Sequence, residues 1–197
     1  LTYPTKGWTE FTWEANSYSG YVSDDKSQVI STSNTLAGGV RIQQIRNNDG
    51  KGNEVVKDYK YVKGFETNPL STTSSGILES NPKYVWEDFS IISYNYPEQY
   101  ILYEDLYSTN PILPLSNYLG SHIGYSEVVE LLSDGSYTLY EFTSNSQSDY
   151  RDYFNYYSLN PSLSPYTNYS DRSLLRGKTK EIRLFDSNNT LKKRVTN

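Results

Sequence analysis

A chain of 197 residues, 36% hydrophobic and 21% charged, fits one domain or one large section of a bigger protein. Its net charge of −5 leaves no broad basic field for nucleic acid, and the absence of cysteine excludes a disulfide scaffold and a thiolate metal site. No apolar run approaches the roughly 18 residues a membrane helix needs.

Tyrosine is the most frequent of the hydrophobic residues, with 21 copies. An aromatic core is expected, its phenol hydroxyls placed where water or a carbonyl satisfies them. Tyrosine suits a pleated, half-buried surface, and Ser, Thr, Asn, Gly and Pro supply turns, so the predicted fold is all-β. Antiparallel hairpins in an extended or sandwiched sheet, with long tyrosine-rich loops, form a single module over residues 1–197.

Taken in chain order, Tyr3-Pro4-Thr5-Lys6-Gly7 predicts a turn into a strand, Trp8 to Glu14. Thr9, Phe11 and Trp13 share one of its faces, and polar alternation on the other marks a half-buried antiparallel strand. Ser17 to Ala37 reads as loop, with one short strand near Val29-Ile30. Gly38-Gly39 launches a strand from Val40 to Arg46. The turn Asp49-Gly50-Lys51-Gly52-Asn53 follows, and a return strand runs from Glu54 to Val62. Gly50, Gly52 and Asn53 offer the positive-φ positions a hairpin loop demands.

Asn68 to Pro82 reads as loop. The aromatic-dense Lys83 to Tyr107, interrupted at Pro97, is two strands or a strand and an irregular arm. Gly124 to Glu130 and Tyr137 to Thr143 flank Asp134-Gly135, a strong hairpin signal. Asp149 to Asp171 predicts a long ordered excursion with a helical turn around Tyr150 to Tyr157. Lys178 to Phe185 then alternates into a second turn, Asp186-Ser187-Asn188-Asn189-Thr190, with a return strand from Leu191 to Val195. Beginning at Leu1 and ending within a hairpin, the chain reads as a fragment of something longer.

The two turns look alike. Aligning Asp49 with Asp186 also sets Ile45 over Ile182 and Arg46 over Arg183. Asp-x-x-Gly-Asn after a strand resembles the YD repeat of Rhs-type proteins. Asp49, Gly52 and Asn53 match it, with Asn48 at the tyrosine position; Phe185, Asp186, Asn188 and Asn189 match it loosely. Asn tolerates the left-handed conformation that Gly would supply. The wider frame resembles segments of large Bacteroidetes surface proteins of Rhs-like character. Its residues are Tyr3 to Phe11, Gly38 to Ile42, Gly124 to Val128, Tyr140 to Thr143 and Arg176-Gly177-Lys178. The resemblance implies an exported, extracellular or cell-surface protein whose β-hairpins stack into a sheet or shell that can enclose or present another polypeptide. It brings no catalytic residue and no cofactor. The partners it implies are neighbouring segments of its parent chain or another surface protein.

Candidate chemistry is thin. His122, the only histidine, has no second histidine with which to share a metal and reads as a strand-end residue making one hydrogen bond. Asp24-Asp25, Glu87-Asp88 and Glu104-Asp105 are adjacent carboxylates, which on a strand point to opposite faces; glycosidase chemistry would need couples formed across strands. Asp49 to Asn53 lacks the closing Glu of a calcium loop. The sequons at Asn168 and Asn188 and the basic run Lys192-Lys193-Arg194 read as surface features. The strongest ligand or partner candidates are Tyr150, Tyr153, Tyr156, Tyr157, Tyr166 and Tyr169, whose rings would stack on a glycan or anchor a protein. A non-enzymatic structural or presentation module is the first expectation, a carbohydrate- or protein-binding module the second, and a hydrolase the third.

Overall fold

The computed structural model describes residues 1–4, 6–23, 26, 28–79, 84–95, 98–110, 121–154 and 169–197. The fold is all-β. In chain order the strands are β1 Trp8–Val22, β2 Val29–Asn48, β3 Glu54–Lys60, β4 Gly76–Leu78, β5 Val85–Asn95, β6 Glu98–Tyr107, β7 Ile123–Tyr125, β8 Glu127–Leu132, β9 Tyr137–Phe142, β10 Tyr153–Phe154, β11 Tyr169–Ser170, β12 Thr179–Phe185 and β13 Leu191–Thr196. Helical structure among the described residues is two 3-10 turns, Ser148–Tyr150 and Ser173–Leu175, and no helix is long and apolar enough to cross a membrane.

One mostly antiparallel sheet holds nine of these strands in the order β13-β12-β9-β8-β3-β2-β1-β4-β7. Six of them form three neighbouring hairpins, β2–β3, β8–β9 and β12–β13. Each hairpin is antiparallel to the next, Lys57 pairing with Leu132 and Leu139 with Arg183. Strand direction therefore alternates from β2 to β13, and the three hairpin turns lie along the same rim.

The longest hairpin was illegible in composition. Ser17 to Ala37, expected as loop, instead forms the second half of β1 and the first half of β2, with Ser17 opposite Leu36 and Tyr21 opposite Ile30. Register shifts at Thr12/Trp13, Ala15/Asn16 and Tyr18/Gly20 let that polar run pair while it bends. Gly39, at φ +81°, sits where two residues of β2 fall between the partners of Ala15 and Asn16. Further along, the expected loop Asn68 to Pro82 contains the buried β4, paired parallel to β1 through Gly20–Ile77. Lys83 to Tyr107 resolves into the two strands β5 and β6.

At its other end the sheet curls. β7 and β8 are separated only by Ser126, yet β7 pairs with β4 while β8 pairs with β3. The circuit β1–β2–β3–β8/β7–β4 thus returns on itself. Ser75 joins the seam: its amide donates to the Tyr61 carbonyl at 2.9 Å, and its own carbonyl accepts from the Ser126 amide at 3.1 Å.

The core lies on one face of the hairpin row. Leu131, Tyr137 and Phe185 form one cross-strand row, and Val129, Leu139 and Arg183 the next. Phe65, from the connection after β3, caps them. Its ring meets Tyr137 edge-on at 5.1 Å, and Tyr137 stacks on Phe185 at 4.6 Å. The core is therefore mixed rather than aromatic throughout: Val129, Leu139, Ile77, Leu78 and Ile123 are buried alongside Tyr137, Phe65 and Phe185. On the opposite face Phe11, Trp13, Val55 and Val195 are exposed, and Ile45, Tyr140, Ile182 and Leu184 are half-buried.

Candidate functional site: an aspartate-turn rim and an open edge

The two look-alike turns close through the same bonds. Asp49 Oδ1 accepts from the amides of Lys51 at 2.7 Å and Asn53 at 3.1 Å. Asp186 Oδ1 accepts from those of Asn188 at 3.0 Å and Thr190 at 2.9 Å. The backbone repeats as well, Asp49 N–H donating to the Asn53 carbonyl and Asp186 N–H to that of Thr190. Gly52 at φ +101° and Asn189 at φ +60° occupy the equivalent left-handed position. The middle hairpin keeps the frame but moves the aspartate. Leu132 N–H donates to the Ser136 carbonyl, Gly135 takes φ +85°, and Asp134 Oδ1 accepts from Ser136 N–H at 2.9 Å.

These bonds set the electrostatics of the rim. The side-chain amide of Asn53 and the Lys51 amide hold the Asp49 carboxyl below its ordinary value. Lys192, then the Thr190 and Asn188 amides, hold that of Asp186 down at about 2. Oxygens so engaged by their own turns have little capacity left for a cation, and no grouping of metal-binding side chains occurs among the described residues.

Three residues before each repeat turn an arginine links strands. Arg46 binds Glu54 at 2.8 Å and Glu10 at 3.3 Å. Arg183 grips Glu66 and Glu141 and lies 3.9 Å from Glu181. Glu127, Glu141 and Glu181 stand in one cross-strand row. Burial raises the Glu127 carboxyl, although its Oε2 accepts from the Gly64 amide at 2.9 Å. These are the cross-strand carboxylates a hydrolase would need, but Arg183 ties up two of them as ion pairs.

The expected tyrosine patch divides. Tyr156, Tyr157 and Tyr166 lie outside the described residues. Tyr153 and Tyr169 belong to the two-stranded ribbon β10–β11, in which Tyr153 pairs with Ser170 and Phe154 with Tyr169. Tyr150 ends the first 3-10 turn, shorter than the helical turn expected to reach Tyr157, and its carbonyl accepts from Arg176 Nη1 at 2.8 Å.

Arg176 braces the base of this excursion. Fully buried, it binds Asp152 at 2.8 Å and Glu79 at 3.4 Å. Glu79 also meets Lys26 Nζ at 3.7 Å and Asn145 Nδ2. Asp152 in turn accepts from the Arg172 amide at 2.7 Å, tying the outgoing chain to the returning one. Among the described residues the cluster sets Arg176 and Lys26 against Glu79 and Asp152, the pairing of opposite charges that burial demands. Sequence reading had no route to this cluster, because Glu79 and Arg176 are 97 residues apart.

A second missed group fills the curl. Arg41 donates to Glu14 at 2.6 Å and lies 4.2 Å from the Tyr61 ring centroid and 4.9 Å from that of Tyr125. Tyr61 donates its hydroxyl to the Ile42 carbonyl, Tyr125 to Asn16 Oδ1, and burial pushes the Tyr61 hydroxyl up to about 12. His122 precedes β7, and its carbonyl accepts from the Glu79 amide at 3.0 Å.

The sheet also leaves strand edges open. β13 is the last strand of its side and all six of its residues are exposed. Along β1, Leu1 bonds to Thr9 and β4 to Gly20 and Tyr21; among the described residues no backbone partner lies between them on the outer edge of Glu10 to Ala15. A slot of about 560 Å³ runs there, between Leu1–Thr2 and Phe11–Trp13. No protein-family model, curated protein or solved structure matches the chain.

Proposed function

We propose that this chain is a non-enzymatic structural and presentation module of an exported bacterial cell-surface protein. The observation behind this reading is the row of three hairpins with every turn on one rim and β13 at its end, whose outer edge has no partner among the described residues. Such a row extends by adding strands to its edge. The repeated Asp49 and Asp186 turns fit the YD-type hairpins of the Rhs-like resemblance, from which the surface location follows. The Arg176 cluster suits presentation, since it anchors Asp152 and the Arg172 amide, on either side of the ribbon β10–β11, to Glu79 beside β4. Its partners are neighbouring β-segments of its parent chain or of another surface protein.

Hydrogen exchange on the protein taken intact from its source tests this. Amides of β13 protected as strongly as those of β12 are expected. Freely exchanging β13 amides in that material would overturn the reading.

A carbohydrate- or protein-binding module is the second reading, favoured by the exposure of Phe11 and Trp13 side by side, their ring centroids 6.4 Å apart. Specific retention on a glycan array, lost in Trp13→Ala, would support it.

A further inference from the structure

We infer that the two open edges are made for each other, so that β13 of one copy of this chain pairs with the Glu10–Ala15 stretch of β1 in the next. This names the partner of the open edge invoked above and rests on that reading.

The edges differ in charge and match in pattern. β13 carries Lys192, Lys193 and Arg194 consecutively, with the side chains of Lys192 and Arg194 58% and 62% exposed. The open stretch of β1 carries Glu10 and Glu14, with the Glu10 side chain 55% exposed. Register places Arg194 on the face of Arg183, and Glu10 on that of Arg46, which is the same side of the sheet. Val195 lies opposite Ile182 on the other face, where β1 shows Phe11 and Trp13. A sheet continued from one copy to the next therefore sets Arg194 against Glu10 on one side and Val195, beside Lys193, against Phe11 and Trp13 on the other, where the Lys193 ammonium can lie over the rings. Arg46 and Glu10 already make this contact within the sheet, at 3.3 Å on neighbouring strands.

Self-pairing of either edge is disfavoured. β13 against β13 would oppose three cations with three, and β1 against β1 would oppose carboxylates. Direction is fixed as well. Strands alternate from β13 to β1, which places the two edge strands in the same sense, so the pairing between copies is parallel. Joining unlike edges gives a head-to-tail interface, which yields rings or open fibres rather than a closed dimer.

The test is sedimentation velocity of the intact chain over roughly a hundredfold range of concentration, at low and high salt. Zero-length carbodiimide cross-linking of the same samples is read by peptide mass. The expected result is a ladder of oligomers at low salt that dissolves at high salt, with Lys192 cross-linked to Glu10. Within one copy those residues lie on different edge strands, six strands apart along the sheet, so the link should appear in the oligomer fractions and not in the monomer. K192E/K193E and E10K/T12K, each checked for folding by circular dichroism, should each be monomeric, and an equimolar mixture should reassemble. A monomer under every condition overturns the inference, as does assembly indifferent to both variants. β13 protection in source material would then still leave the presentation reading standing, with a different strand on the edge.

Discussion

Asp186 is the residue at which fold and chemistry are most tightly joined. Its carboxyl is held at about 2 against an ordinary 3.8, first by Lys192 and then by the Thr190 and Asn188 amides. A folded value below the unfolded one means that the stabilisation is whole above the unfolded value and is lost as pH falls through about 2. Amide exchange at Asn188 and Thr190 should therefore accelerate as pH falls from 4 toward 2, beyond the intrinsic pH dependence, with a midpoint at about 2 that is absent in Asp186→Ala. Arg176 tests the opposite case, a buried charge. Arg176→Met removes the buried cation that binds both Asp152 and Glu79 and should cost about 3–5 kcal/mol in urea unfolding. A loss below about 1 kcal/mol, the range of exposed pairs, would contradict the brace. The two residues differ in legibility for the same reason. Every partner of Asp186 lies within six positions, so the turn is written locally, whereas those of Arg176 come from Tyr150, Asp152 and Glu79.

Among the elements, β4 depends on a single atom's absence. A Cβ on Gly76 would fall 2.2 Å from the Ser17 carbonyl oxygen, which is backbone and cannot swing aside. Gly76→Ala should push β4 from β1, costing about 3 kcal/mol or more and exposing the amides of Ile77 and Leu78 to exchange. Gly38→Ala meets nothing within 4 Å and should be neutral or stabilising by about 0.5 kcal/mol. Equal effects of the two would contradict the close β1–β4 approach. Hairpins announced by turn residues were legible: Asp49 to Asn53, Asp134-Gly135 and Asp186 to Thr190 each lie where a hairpin turns. The polar half of β1–β2 was not. Ser, Thr and Asn carry loop propensity, and the long β1–β2 pairing with its bulges, joined by β4 at Gly20 and Tyr21, makes strand of them. Nor was β4, three residues whose strand character exists only because β1 and β7 flank them.

For the whole molecule, period-two alternation and turn chemistry were enough to reach an all-β fold of antiparallel hairpins. Strand order, the closed circuit through Ser126 and the Arg41 and Arg176 clusters depend on contacts distant in sequence, which local patterns do not encode. The turns at Asp49, Asp134 and Asp186 share a rim, and that geometry is what the presentation reading needs most. The natural chain has no cysteine, so cysteine pairs introduced at Lys51, Ser133 and Ser187 can be spin-labelled cleanly and their separations measured by double electron–electron resonance. Lys51 and Ser187 should stand about four strand spacings apart, roughly 19 Å between backbones, with Ser133 between them and nearer to each. A Lys51–Ser187 separation beyond about 30 Å, or Ser133 outside the span of the other two, would place the turns on different rims and contradict the account.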